Sequence, residues 1–147
     1  MVMDSKIHHA NLIHNILAKV EANNARADDA ILLDVEGFVA ETNASNLFLV
    51  KRGEVRTPTA DHCLPGITRG VVLEICRASS IPCVERRLSL SEFHSADEVF
   101  TSGTMGEIAW VREIDGRPIT TSRGPVTTRL SDLFASRTKS EGTSIGF

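Results

Sequence analysis

Between residues 10 and 25, Leu12, Ile13, Ile16, Leu17 and Val20 recur at the spacing of one helical face, with alanine-rich filler between them. That period predicts a helix. Residues 31–34 and 38–41 are short runs rich in apolar residues, separated by Glu36-Gly37, and they predict a hairpin. Residues 46–50 and 54–57 repeat the pattern around Arg52-Gly53. Pro65-Gly66 then breaks the chain, and residues 68–79, apolar at Val71, Val72 and Ile75, predict a second helix. Residues 81–88 read as a strand, after which Ser89 or Ser91 caps a short helical turn. A strand over 97–101 leads into the loop Ser102-Gly103-Thr104-Met105-Gly106, and residues 107–114 and 117–120 form a third hairpin around Asp115-Gly116. Pro125 opens a last helix running to about Arg137, with Leu130, Leu133 and Phe134 on its apolar face. The stretch from Ser140 onward reads as a loose tail. Hairpins set between helices predict an α+β fold rather than a doubly wound sheet.

Composition narrows what such a fold can do. A chain of 147 residues fits one domain, able to bury roughly 68–70% of its unfolded surface without a metal or disulfide. Lys+Arg 16 against Asp+Glu 19 gives a net charge of −3, the wrong sign for a nucleic-acid binder. No apolar run approaches the ~18 residues of a membrane span, and the first residues lack the apolar core of a signal peptide. The three cysteines, Cys63, Cys76 and Cys83, cannot all pair and form no C-x-x-C, so reduced thiols in a cytoplasmic protein are expected. Cys76, in an apolar stretch, reads as a small buried hydrophobe. His8-His9 has no third ligand at a sensible spacing, so no metal site is expected. Lys51-Arg52 and the charges from Arg123 to Lys139 read as solvated faces.

Three loops offer polar groups without a packing reason. Glu41-Thr42-Asn43-Ala44-Ser45-Asn46 joins two strands, and taken alone it reads as a connection whose Asn and Ser satisfy local backbone donors. Leu64-Pro65-Gly66-Ile67-Thr68-Arg69 opens a helix, where free N–H groups and the helix dipole suit an anion, although most helix starts meet only water. Ser102-Gly103-Thr104 ends a strand with a hydroxyl and a glycine. Lys6, taken alone, reads as a solvated charge near a terminus.

Their order changes the reading. Lys6, then Asn11-Leu12 and Ala18-Lys19-Val20-Glu21-Ala22, then Glu41 to Phe48, then Leu64 to Arg69, then Asp97 to Thr104, in that sequence, resembles the class IV pyridoxal-phosphate aminotransferases. That group includes branched-chain aminotransferases, D-amino acid transaminases and aminodeoxychorismate lyases. Val111 to Arg117 and Gly124-Pro125-Val126-Thr127 extend the likeness to nearly the whole chain. Leu12 stands where branched-chain enzymes carry a tyrosine, Ala109-Trp110 replaces the usual Thr-Pro, and the stretch from Lys6 to Asn11 is slightly long.

The resemblance implies the large C-terminal domain of a fold-type IV enzyme, a hairpin-rich mixed sheet or pseudo-barrel with flanking helices, over residues 1–138, with 139–147 as a tail. It implies pyridoxal 5'-phosphate as cofactor and gives Lys6 the amine that holds it and moves the α-proton. Glu41 matches the carboxylate that keeps the pyridine nitrogen protonated. Leu64 matches a residue packed on the cofactor ring, and Ile67, Thr68 and Thr104 match the phosphate donors. Ala44, Thr104 and Met105 match the substrate-carboxylate site. The implied reaction is transamination of a branched-chain L-amino acid with 2-oxoglutarate. A D-amino acid transaminase, a lyase or an inactive domain on the same scaffold are the alternatives. In the family a preceding small domain supplies a phosphate-binding arginine and one pocket wall. The 147 residues by themselves are therefore expected to bind the cofactor weakly, to turn over poorly and to form a homo-oligomer.

Overall fold

A computed structural model describes residues 7 and 10–141; Lys6 lies outside the described residues. Thirteen elements follow one another as α1 (Ile13–Asn24), β1 (Ile31–Leu33), β2 (Val39–Thr42), β3 (Asn46–Lys51), β4 (Glu54–Thr57), α2 (Ile67–Ala78), β5 (Cys83–Glu85), α3 (Leu90–His94), β6 (Glu98–Gly103), β7 (Glu107–Trp110), β8 (Glu113–Ile114), β9 (Arg117–Pro118) and α4 (Pro125–Ser140). The expected α+β class holds. Its centre is a mixed five-stranded sheet in the order β5-β4-β3-β6-β7, antiparallel except where β4 runs parallel to β5. β1-β2 and β8-β9 form separate two-stranded ribbons.

The predicted turns carry the hairpins. Gly37 adopts φ +85°, the pair Arg52-Gly53 takes +51° and +78°, and Asp115-Gly116 takes +51° and +74°. Two successive left-handed residues give the primed turn whose twist matches the flanking strands, and glycine meets that conformation without a Cβ penalty. Asp34 helps the first turn by accepting the N–H groups of Glu36 and Phe38 at 2.9 Å each.

Strand alternation sorts the apolar residues into two cores. On one face Phe48, Val50, Val55, Phe100 and Ile108 pack under α2 and α4, through Val72, Cys76, Leu130 and Phe134. Phe48 and Phe100 stack with centroids 4.8 Å apart; burying each ring contributes about 1.5–3 kcal/mol. The opposite face sends Leu47, Leu49 and Val99 against Val39, Leu88, Phe93 and Ile114. A capping box formed by Ser89 and Glu92 starts α3, which resolves the choice between the two serines.

Three elements differ from expectation. The strand expected over 81–88 shrinks to Cys83–Glu85. Pro82 lacks an N–H, and after Glu85 the chain leaves the sheet edge so that Leu88 can enter the second core. The run 107–114 is not one strand: β7 pairs with β6 through Phe100↔Trp110 and Gly103↔Glu107, and only Glu113–Ile114 belongs to the third hairpin. An edge as apolar as β6 draws the nearest available strand. The last helix extends past Arg137 to Ser140, where Arg137 pairs with Glu74 at 2.6 Å and Glu141 at 2.8 Å.

The α1 helix forms as its period predicts, yet its apolar face is not part of either core. Ile13, Ile16, Leu17 and Val20 remain 47–59% exposed, and Ala22 is the buried residue of this helix.

Candidate active site

One end of the central sheet gathers all three polar loops. The hub is Asn46, the first residue of β3. Its backbone pairs with Ser102 across the sheet, while its side-chain Nδ2 donates to the Leu64 carbonyl at 2.8 Å. From the other side, the Leu64 N–H donates to Glu41 Oε2 at 3.1 Å. A carboxylate at the end of β2 and the approach to α2 are thus held by one short run of hydrogen bonds. Gly66 completes the junction. A Cβ there would stand 2.2 Å from Asn46 Oδ1, so the position accepts glycine because the Asn46 amide occupies the space a side chain would need.

The turn between β2 and β3 is built on Thr42. Its Oγ1 accepts the N–H groups of Ala44 at 3.2 Å and Ser45 at 2.9 Å, the local hydroxyl turn that serine and threonine favour. Ala44 is therefore displayed to solvent. The same turn lies against the third loop, since a Cβ on Gly103 would stand 3.5 Å from Ser45 Cβ and 3.7 Å from the Ala44 carbonyl. Asn43 ties it to the first helix: its carbonyl accepts Asn15 Nδ2 at 3.0 Å, and its Oδ1 accepts the Ala30 N–H at 2.9 Å.

At the start of α2, Gly66 is the N-cap, no side chain caps the helix and its first turn carries no acidic residue. The first intrahelical bond runs from the Gly70 N–H to the Gly66 carbonyl. The earliest N–H groups of a helix have no partner inside it and carry the positive end of its dipole. Ile67 is 85% exposed and Thr68 is buried. Thr104 is exposed, Met105 is 99% exposed, and Ser102 Oγ is buried with no hydrogen-bond partner among the described residues.

Two groups here are electrostatically distinctive. Burial pushes the Glu41 carboxyl above the ordinary carboxylate range, and the Leu64 N–H offsets this only in part. Such a carboxyl is short of a cationic or N–H partner. Burial likewise pushes the Cys63 thiol up to about 11, so Cys63 beside the loop stays a neutral packing group at physiological pH.

Glu41 and Leu64 are joined just before Ile67 and Thr68 open α2, and the Ala44 turn lies against Gly103, next in the chain to Thr104 and Met105. Asn46 and Gly66 form the frame between them. Nothing in the local sequence marks Asn46 as more than a polar loop residue; its position at the first β3 pair is the signal.

The chain matches the family model for class IV amino-transferases over residues 2–114. It belongs to that family. It is 57% identical over 144 residues to branched-chain-amino-acid aminotransferase-like protein 2 of Arabidopsis thaliana, a match covering 97% of this chain and 26% of that protein. Its fold superposes on the branched-chain amino acid aminotransferase of Escherichia coli with a TM-score of 0.82 and 38% identity, over 86% of this chain and 43% of that one. Another solved branched-chain amino acid aminotransferase, complexed with N-(5'-phosphopyridoxyl)-L-glutamate, superposes with a TM-score of 0.87 at 39% identity, over 92% of this chain and 47% of that one. A putative 4-amino-4-deoxychorismate lyase from Legionella pneumophila matches with a TM-score of 0.83 at 30% identity, over 86% of this chain and 47% of that one. The chain thus spans between a quarter and a half of the length of these class IV relatives.

Proposed function

We propose that this chain is the cofactor-holding part of an aminotransferase that uses pyridoxal 5'-phosphate to move an amino group from a branched-chain L-amino acid to 2-oxoglutarate. The observation that carries this reading is the Glu41–Leu64–Asn46–Gly66 frame. It places a carboxyl in need of a cationic N–H close to an uncapped helix start suited to an anion. A ring with a protonated nitrogen at one side and a phosphate at another has that same charge pattern.

When bound, the cofactor supplies an electron sink for the substrate's α-carbon and carries the amino group between the two half-reactions. The chain's own residues hold and orient it. Glu41 keeps a proton on the ring nitrogen. The backbone N–H groups of Ile67 and Thr68, with the Thr104 hydroxyl, take the phosphate. Leu64 packs on the ring, and backbone at Ala44 and Thr104-Met105 receives the substrate carboxylate. Lys6 supplies the amine that attaches the cofactor and moves the α-proton. The test is to load the protein with pyridoxal phosphate, reduce it with borohydride and map the modified peptide. A pyridoxyl group on Lys6 is expected; modification of Lys19 or Lys51 in its place overturns the assignment. Turnover of L-leucine against a D-amino acid donor and against aminodeoxychorismate separates the aminotransferase reading from its alternatives.

Self-association is part of the same reading. Ile13, Ile16, Leu17 and Val20 present an exposed apolar stripe on α1, the kind of surface that a contact would cover. Light scattering after size exclusion is expected to give a multiple of the 16.0 kDa chain mass, with Leu17→Glu shifting it toward a single copy. An unaltered mass for Leu17→Glu would remove α1 from the contact. All three cysteines are free thiols, which fits a reducing, cytoplasmic setting.

A further inference from the structure

Asn46 differs in kind from the strand it opens. The next residues of β3, Leu47, Phe48, Leu49 and Val50, are apolar and at most 1% exposed, and Asn46 itself is only 6% exposed. Asn46 pairs with Ser102 as Phe48 pairs with Phe100. The two-residue alternation of a strand therefore puts its side chain on the face that α2 covers. A buried amide is costly there unless its hydrogen bonds are made.

This amide holds Leu64 and Gly66. The Leu64 carbonyl accepts two hydrogen bonds at 2.8 Å, one from Asn46 Nδ2 and one from the Gly66 N–H. The Leu64 N–H goes to Glu41 Oε2. Asn46 Oδ1 fills the place of a Gly66 side chain, 2.2 Å from where a Cβ would stand. Gly66 is the N-cap of α2, and its carbonyl accepts the Gly70 N–H at 2.9 Å. Asn46 is thus a strut from the middle strand of the sheet to the first turn of the helix, and Leu64 carries the link on to the Glu41 carboxyl. A central strand is a stiffer base for such a contact than a loop.

We propose that Asn46 is a positioning residue: its amide sets where α2 begins relative to Glu41, and thereby makes the chain selective for a cofactor with a phosphate at a fixed distance from its ring nitrogen. On the reading that the site holds pyridoxal phosphate, Glu41 meets one end of that molecule and the N–H groups of Ile67 and Thr68 meet the other. Both ends are tied to Leu64, and Asn46 pins Leu64 to the sheet. Without the amide, the Leu64 carbonyl is left, among the described residues, with the Gly66 bond, which lies inside the loop and anchors it to nothing beyond. A ligand without a phosphate gains little from the helix start, so the loss falls on the phosphate-bearing form.

The test measures the dissociation constants of pyridoxal 5'-phosphate and of pyridoxal on the full chain by equilibrium dialysis, and amide hydrogen exchange on the ligand-free chain. The unaltered chain is expected to prefer pyridoxal phosphate. Asn46→Ala should weaken pyridoxal phosphate on the order of tenfold, the worth of one hydrogen bond, and pyridoxal by less than about threefold. In the ligand-free variant the Leu64, Gly66 and Gly70 amides should exchange faster, while those of the β3–β6 pair keep their protection. Gly66→Ala should reproduce the loss, because its methyl displaces the Asn46 oxygen. Adding Gly66→Ala to Asn46→Ala should then cost nothing more. Asn46→Leu keeps the branched shape without a donor and carries the same expectation where Asn46→Ala leaves the chain poorly folded. Equal losses for the two ligands, additive losses in the double variant, or unchanged exchange at the start of α2 would each overturn the role of Asn46. An unaltered chain that binds pyridoxal phosphate no better than pyridoxal would overturn the cofactor reading and the selectivity together. Exchange reads Asn46 without any cofactor, which keeps the two failures apart.

Discussion

Glu41→Gln is expected to leave the chain folded and to slow turnover of the intact enzyme on the order of 10²-fold. Glutamine keeps the shape and an oxygen to accept the Leu64 N–H, now at 3.1 Å, so the junction with Asn46 survives. What it loses is the negative charge that, in the proposed role, would keep a proton on the ring nitrogen and so sustain the ring's capacity to accept electrons. The measurement is the single-turnover rate with L-leucine under saturating cofactor. A rate near that of the unaltered protein would reduce Glu41 to a loop residue. The pH dependence has a definite sign. Burial holds the Glu41 pKa above its ordinary value in the folded chain, so the folded state binds the proton more tightly than the unfolded one. In the cofactor-free chain this stabilising contribution is complete below the ordinary carboxylate pKa and is lost as pH rises through the raised one. Glu41→Gln should remove that part of the stability–pH curve, and unfolding in urea across the acidic range would show it.

Glu98→Ala is expected to destabilise the chain by about 3–6 kcal/mol, the sum of two charge-assisted hydrogen bonds. Glu98 is 5% exposed at the start of β6. Its two oxygens accept the N–H of Val126 at 3.0 Å and the N–H of Thr127 at 2.7 Å, capping α4 from a different element. No side chain within α4 does this, and the carboxylate also meets the positive end of the helix dipole. Gly124 makes room for it: a Cβ there would lie 2.1 Å from Glu98 Cδ. Alanine at position 98 leaves two inward-facing donors without partners. The thermal midpoint should fall on the order of 10 °C, and Glu98→Gln, which keeps one acceptor, should fall less. A loss below about 1 kcal/mol would show that α4 is held by Leu130 and Phe134 alone.

How much of this could be read without coordinates depends on the range of the interaction. The helices at Ile13–Asn24, Ile67–Ala78 and Pro125–Ser140 follow from periods of three and four residues. The turns at Gly37, Gly53 and Gly116 follow from residues that tolerate positive φ. The likeness in the order of Glu41, Leu64 and Thr104 along the chain is likewise a property of sequence, and the family match agrees with it. All of these are set by neighbours in the chain or by the chain's own order.

The misread elements answer to distant partners. Residues 107–110 look continuous with 111–114, but the free edge of β6 takes them. Residues 81–88 look like one strand, yet Ile81 and Leu88 are claimed by opposite cores. The apolar face of α1 is plain in the sequence, although what it faces is not, since burial is decided by what packs around a helix. The site shows the same division. Glu41, Asn46 and Leu64 are each legible as residue types, but the bonds joining them span 23 and 18 positions. Sequence determined the elements and the chemistry each carries, because helical periods and turn preferences act over a few residues. Tertiary structure alone decided which of those chemistries meet, because strand register and core packing are set by contacts between distant parts of the chain.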